Sequence, residues 1–193
     1  VIKGDFLNPQ DIQFAVQQSD VIYHLISATV PQTSNDDPVL DVEANVVGTL
    51  RLLEEAKRSQ IKKIIFSSSG GTVYGIPQEI PIKENHPTEP TSSYGVCKLM
   101  IEKYMHLFWT LYGVDYNILR ISNAYGVRQP ARATQGVISS FLDRILRGEE
   151  LVIWGDGSVI RDYVYISDIV DAMVKAANYD GPQKLFNIGA GQG

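Results

Sequence analysis

Apolar runs broken by helix-spaced segments leave this chain few folds to choose from. Val21-Ile22-Tyr23-His24-Leu25-Ile26 reads as a strand buried on both faces, which is how strands of parallel sheets read. Ile64-Ile65-Phe66 and Tyr116-Asn117-Ile118-Leu119-Arg120-Ile121 are again apolar for most of their length, and Leu185–Gly189 makes a last strand. Between them, Val42, Val46, Leu50, Leu53 and Ala56 recur at helical spacing and predict a helix over Asp41–Ser59. Leu99, Ile101, Tyr104, Met105, Phe108 and Leu111 do the same for Ser93–Tyr112, with Gly113 as the stop. Strand, helix and strand joined by short links predict an α/β fold with a parallel sheet and right-handed crossovers.

The remaining elements are shorter. Val1–Asp5 reads as the end of a strand entering a turn, and Asp11–Ser19 as a short helix capped by Asp11. The loop Ile76–Ser92 is long for a compact domain and leads straight to Tyr94. Beyond Gly126 the pattern predicts a helix over Val137–Leu146 and a strand over Leu151–Trp154. A hairpin turn at Gly155–Ser158 follows, then a strand over Arg161–Ile166 and a helix from Ser167, as cap, to about Asn178.

Chemistry concentrates where strands end. Ile64–Phe66 empties into Ser67-Ser68-Ser69-Gly70-Gly71-Thr72-Val73-Tyr74-Gly75, and Val21–Ile26 into Ser27-Ala28-Thr29. The carboxyl ends of strands are where open α/β sheets bind ligands. Tyr94 and Lys98 are four apart, so on a helix they share a face about one turn apart. A nearby ammonium favours the phenolate and predicts a lowered phenol pKa, fitting Tyr94 to act as a general base. Such a pair alone is usually a surface pair. The hydroxyl-rich strand end before it and the amphipathic segment after it raise it above that.

Charge and cysteine usage narrow the partners. A net charge of −5 and a pI near 5.2 argue against a general nucleic-acid binder, which needs clustered Lys and Arg. The single cysteine, Cys97, rules out an internal disulfide and suits a reducing compartment. His24 reads as a core residue, and His86 and His106 lack metal-ligand spacing, so no metal site is expected. With no apolar run of about eighteen residues and no leader-like N-terminus, a soluble, cytoplasmic protein without a membrane partner is expected.

Seven motifs stand in order: Gly4-Asp5, His24-Leu25, Asn45-Val46-Val47-Gly48-Thr49-Leu50, Ser67–Ser69 through Tyr74-Gly75, Tyr94 to Lys98, Arg120 to Asn123 with Tyr125-Gly126, and Arg161-Asp162-Tyr163. Together they resemble the extended short-chain dehydrogenase/reductase family, in its nucleotide-sugar epimerase and dehydratase branch. The resemblance implies a doubly wound, Rossmann-like sheet binding NAD. Residues 1–126 would form that domain, lacking its first strand and glycine-rich loop. Residues 127–193 would be part of a substrate-binding region, with 167–189 returning to the main sheet.

By the same resemblance, Asp5 and Phe6 would meet the adenine, and Leu25, Ile26 and Ser27 would line the cofactor cleft. Asn45 would pack under the cofactor and Ser67 would sit near the nicotinamide. Tyr94 would be the base and Lys98 would bind the nicotinamide ribose. Asn123 and Arg161 would hold the substrate diphosphate, a guanidinium matching phosphate oxygens in two-pronged fashion. Ser69 takes the catalytic hydroxyl role, with Thr72 in reserve, because Gly70 stands at the family's usual position. Gly70-Gly71 also speaks against a 4,6-dehydratase, which needs an Asp-Glu pair there.

The implied function is nucleotide-sugar 4-epimerisation: oxidation at the sugar C4 and return of hydride to the opposite face, by a homodimer. Another nucleotide-sugar reductase or decarboxylase, or a non-catalytic binding module, stays open. The glycine-rich loop would precede Val1 and some substrate residues would follow Gly193. These residues alone are therefore expected to be a piece of a longer protein that binds NAD poorly and turns over little.

Overall fold

The computed structural model describes residues 1–130, 136–153 and 155–193. In chain order its elements are α1 (Pro9–Val16), β1 (Val21–His24), α2 (Pro38–Asp41), a π-helical stretch (Val42–Val47) and α3 (Gly48–Arg58). Then come β2 (Lys63–Ser69), α4 (Ser93–Tyr112), β3 (Tyr116–Ile121), β4 (Asn123–Tyr125), α5 (Val137–Arg147), β5 (Tyr163–Tyr165), α6 (Ile166–Ala177) and β6 (Leu185–Ile188).

The central sheet is parallel throughout, in the order β1-β2-β3-β6. Successive side chains of a strand point to opposite faces, and here both faces are covered. Ile64, Phe66 and Ile118 pack with Leu53, Ala56, Ile101 and Met105 beneath α3 and α4. Ile65, Leu119 and Ile121 pack on the other side with Ile169 and Ala176 of α6. That double burial is why β2 and β3 are apolar along most of their length. β6 lies beside β3, which brings the last part of the chain back into this sheet.

β1 departs from expectation. It is the outer strand, with no neighbour on its free side among the described residues, and Val1–Asp5 is not a strand. Only His24 is buried; Tyr23 is exposed, and Leu25 and Ile26 lie past the strand end, exposed as well. His24 is a core histidine, as predicted, between the Phe6 and Phe66 rings at 5.4 and 5.3 Å.

Helix boundaries show what caps them. α1 starts earlier than Asp11 because Pro9 fits the first helical turn, where its missing N–H costs nothing. Asn8 is the cap, its Oδ1 accepting from Gln10 N at 3.0 Å, while Asp11 accepts from Asp5 N at 2.8 Å. The helix predicted over Asp41–Ser59 begins at Pro38, capped by Asp37, and runs through the π-helical stretch into α3. α4 has the predicted bounds: Ser92 Oγ accepts from Gly95 N at 3.2 Å, and Gly113 closes it at φ +73°. Its buried face is Cys97, Lys98, Ile101, Glu102, Met105 and Phe108; Leu111 falls off that stripe and is exposed. Glu102 is tolerated there because Arg120 of β3 binds it twice, at 2.6 and 3.0 Å.

The predicted C-terminal hairpin does not form. Gly155 and Gly157 make a turn at φ +84° and +78°, but Leu151–Ile153 is not a strand, and Trp154 lies outside the described residues. The second strand shrinks to β5, which pairs in parallel with β4 instead. α6 begins at Ile166, so Ser167 sits inside it rather than capping it.

Candidate active site

The end of β2 builds one wall. Ser67, Ser68 and Ser69 reach the carboxyl edge of the sheet, and Gly70 N stays bonded to Ile121 O at 2.8 Å. Ser68 turns inward, its hydroxyl donating to Glu102 Oε1. Ser67 and Ser69 remain half-buried at the edge. The Thr72 hydroxyl is buried with no hydrogen-bond partner.

The loop over 76–92 is held by side-chain hydrogen bonds rather than by regular structure. Asn187 donates to Ile82 O at 2.9 Å and its backbone N–H to Glu84 Oε1 at 3.0 Å, while its Oδ1 accepts from Tyr74 OH at 2.6 Å. His86 Nε2 accepts from Gln78 N at 2.9 Å, which leaves Nδ1 to donate to Pro87 O at 2.7 Å.

α4 begins over this edge, and its first N–H groups, which no helix can satisfy internally, are met from outside. Ser93 N donates to Asn35 Oδ1 at 2.8 Å and Tyr94 N to the buried Ser34 Oγ at 3.1 Å. Gly95 lets the helix pass close to the β2 end: a Cβ there would stand 2.8 Å from the Thr72 carbonyl oxygen.

Tyr94 and Lys98 do share a face. The Lys98 ammonium lies 5.5 Å from the Tyr94 ring centre and donates to Ser67 O at 2.9 Å. The predicted lowering of the phenol pKa does not follow. Burial pushes Tyr94 up, a hydrogen bond with the Ser27 side chain pulls it back, and the Asp41 carboxylate raises it further. Burial also draws Lys98 down to about 8, against the upward pull of Asp41, Cys97 and Glu102. No hydrogen bond joins Tyr94 to Ser69 among the described residues; Tyr94 leans on the β1 end instead.

The other predicted residues fall into two groups. Leu25, Ile26 and Ser27 stand exposed past β1, and Asn45 reaches them through its Oδ1, which accepts from Ala28 N at 2.9 Å. Asp5 is exposed in a turn, its carboxylate accepting from Leu7 N at 2.8 Å, and Phe6 packs against Gly48 and His24. On the other side, β4–β5 pairing brings Asn123 beside the Arg161 segment: Asn123 Nδ2 donates to Asp162 O at 2.9 Å. Arg161 is exposed and donates to the carbonyl of Ile160 at 3.0 Å.

Residues 1–189 match the model of the NAD dependent epimerase/dehydratase family. The chain belongs to that family. It is 40% identical over 172 residues to the UDP-glucose 4-epimerase of Mycolicibacterium smegmatis, covering 89% of this chain and 55% of that protein. The solved UDP-glucose 4-epimerase of Thermotoga maritima with UDP-glucose matches at a TM-score of 0.94 and 36% identity, over 99% of this chain and 62% of that one. The UDP-glucose 4-epimerase of Thermus thermophilus, in complex with NAD, matches at 0.87 and 30% identity, over 96% and 62%. This family member thus spans less than two thirds of the length of these relatives.

Two carboxylates that tie these segments together were given no role from sequence, although Asp162 lies within the Arg161-Asp162-Tyr163 motif. Asp41 accepts from Thr29, Asn45, Ser93 and Cys97. Asp162 gathers Ser122 Oγ at 3.2 Å and the N–H groups of Ala190 and Gly191 at 2.8 Å each, tying β3 and the turn after β6 to β5. The only sequence signals were the four-residue step from Asp41 to Asn45 and the position of Asp162 beside Arg161.

Proposed function

We propose that the intact protein is a nucleotide-sugar 4-epimerase of the UDP-glucose 4-epimerase kind. The observation that carries the reading is the placement of Tyr94 and Lys98 one helical turn apart, 5.5 Å from ring centre to ammonium, at the carboxyl edge of a parallel sheet lined by Ser67 and Ser69. Tyr94 takes the proton of the sugar C4 hydroxyl and gives it back. Burial holds the phenol protonated in the free chain; in this reading the Lys98 ammonium one turn away helps it give up that proton. Ser69 holds the reacting oxygen.

The residues present fit NAD. The β1 end leaves apolar Leu25 and Ile26 exposed beside Ser27, and Ser67 O fixes an ammonium at the same edge. Asp5, Phe6, Leu25, Ile26, Ser27, Asn45, Ser67, Tyr94 and Lys98 would hold it. When bound, NAD supplies reversible hydride exchange at C4. Asn123 and Arg161 bind the diphosphate of the nucleotide sugar; the exposed guanidinium of Arg161 is available for it. Residues 1–126 then serve as the cofactor domain and 127–193 as part of the substrate region, with β6 in the main sheet.

Two copies pair through α3 and α4, whose outer surface includes exposed Leu107 and Leu111. None of the described helices is long and apolar enough to cross a membrane. With its one cysteine free and buried, a cytoplasmic setting suits the chain.

The test is interconversion of UDP-glucose and its C4 epimer by the intact protein, without net consumption of cofactor. Tyr94→Phe lowers kcat by about 10²–10⁴-fold and leaves UDP-sugar binding in place. Net oxidation or reduction of the sugar, or no C4 epimer at all, defeats the reading.

A further inference from the structure

We propose that Asp41 is a positioning residue for the Tyr94–Lys98 pair: its buried carboxylate ties the end of β1 to the first turn of α4 and sets an anion beside both side chains. The inference rests on the epimerase reading above. Asp41 has no exposed surface at all, and a carboxylate so placed is tolerated only when its oxygens are bonded. Oδ1 accepts from the Thr29 hydroxyl at 2.5 Å and from Asn45 Nδ2 at 2.7 Å. Oδ2 accepts from the Ser93 hydroxyl at 2.6 Å and from the Cys97 thiol at 3.4 Å. Thr29 lies past β1, Asn45 on the π-helical stretch, and Ser93 and Cys97 on either side of Tyr94. One carboxylate therefore holds together the segments that meet around the phenol.

The π-helical stretch makes this reach possible. Stretches of this kind interrupt regular α-helices and recur at functional sites. Asn45 Nδ2 donates to Asp41 O at 3.0 Å as well as to its carboxylate, and Thr49 Oγ1 donates to Asn45 O at 2.6 Å. Having given its proton there, Thr49 Oγ1 accepts from His24 Nε2 at 2.8 Å. Buried polar groups thus run from His24 on β1 to Asp41.

Among the described residues, few titratable groups face the pair. On α4 they are Cys97 and Glu102, on β1 His24, and at the head of the π-helical stretch Asp41. Burial keeps His24 neutral, with its pKa at about 3, and pushes the Cys97 thiol to about 12. Glu102 is committed to Arg120. Asp41 remains as the anion that raises Tyr94 and Lys98 alike.

Asp41→Asn in the intact protein keeps the shape and removes the charge. The expected result is a kcat for UDP-glucose lower by roughly tenfold to a hundredfold, with KM within about twofold of the parent. Both limbs of the pH–rate profile move to lower pH, because the phenol and the ammonium each lose an anion. An ultraviolet difference titration against the matching Tyr94→Phe protein reads the phenol directly, and shows it ionising at lower pH in Asp41→Asn than in the parent. Ser93→Ala deletes one bond to Oδ2 and keeps the charge, so it lowers kcat without moving the limbs; it carries the test if Asp41→Asn does not fold. Unmoved limbs and an unmoved phenol titration in Asp41→Asn overturn the inference, whatever happens to kcat, as does a parental kcat in Ser93→Ala. Full turnover by Tyr94→Phe alone defeats the epimerase reading, and this inference with it.

Discussion

The Lys98 ammonium donates to the backbone carbonyl of Ser67 at 2.9 Å, joining the second turn of α4 to the last residues of β2. The same ammonium lies 4.9 Å from the Phe66 ring centre and 5.5 Å from that of Tyr94. Lys98 is 5% exposed. A lysine buried against an apolar ring loses much of its hydration, and here that draws its pKa to about 8.

A Lys98 that must be a cation therefore works close to its limit. Below about pH 8 it keeps its proton; above, it loses it. Tyr94 gains its base form only at higher pH still, since its phenol lies above the usual tyrosine value. The kcat/KM of the intact protein, which reports groups of the free enzyme, should therefore rise up to about pH 8 and level off there, each further gain in phenolate offset by loss of the ammonium. Lys98→Arg keeps its charge at any pH used, so its kcat/KM goes on rising past that value even if the rate is lower. A break at the same pH in both proteins assigns it to another group.

His24 makes stability depend on pH in the opposite range. The native residue stays neutral down to about pH 3, whereas the unfolded chain takes up its proton near 6.5. Between these values the unfolded state binds one more proton, so stability falls as pH falls, by up to about 1.4 kcal/mol per pH unit. His24→Phe suits the space between Phe6 and Phe66 and leaves Thr49 bonded to Asn45 O. Urea unfolding across that window should give a flatter dependence in His24→Phe than in the parent; parallel curves would mean that another group sets the slope.

Stability and turnover together decide between Ser69 and Thr72. A buried hydroxyl with no partner costs about 1–3 kcal/mol relative to a satisfied one, and Thr72 Oγ1 is in that position. Thr72→Val, of nearly the same shape, should leave unfolding free energy equal or higher and leave turnover unchanged. Ser69→Ala should lower kcat by about 10²-fold if its hydroxyl orients the substrate. The reverse pattern of rates, with Thr72→Val inactive and Ser69→Ala unaffected, hands the role to Thr72.

What was legible was whatever local chemistry decides. Ser92 and Gly113 mark α4 because a side-chain cap and a left-handed stop act over one turn. β2 and β3 were legible because a strand covered on both faces must be apolar along most of its length. The same rule overreads β1, where only His24 is buried and Tyr23 is exposed. The hairpin around Gly155–Ser158 was wrong for a different reason. Its turn residues are right for a turn, but the partner of β5 is β4, some forty residues earlier in the chain, and no turn chemistry encodes that.

The sequence by itself determined that a parallel sheet would form, that Ser67–Ser69 would crown one of its strands, and that Tyr94 and Lys98 would share one helical face. Hydrophobic period and helical geometry suffice for each. Only the tertiary structure decided the electrostatics. How deeply Tyr94 and Lys98 are buried, and that Asp41 rather than any near neighbour in sequence faces them, depend on packing between segments far apart along the chain. Desolvation and Coulomb forces act through space, and the spacing of residues along a chain does not record those distances.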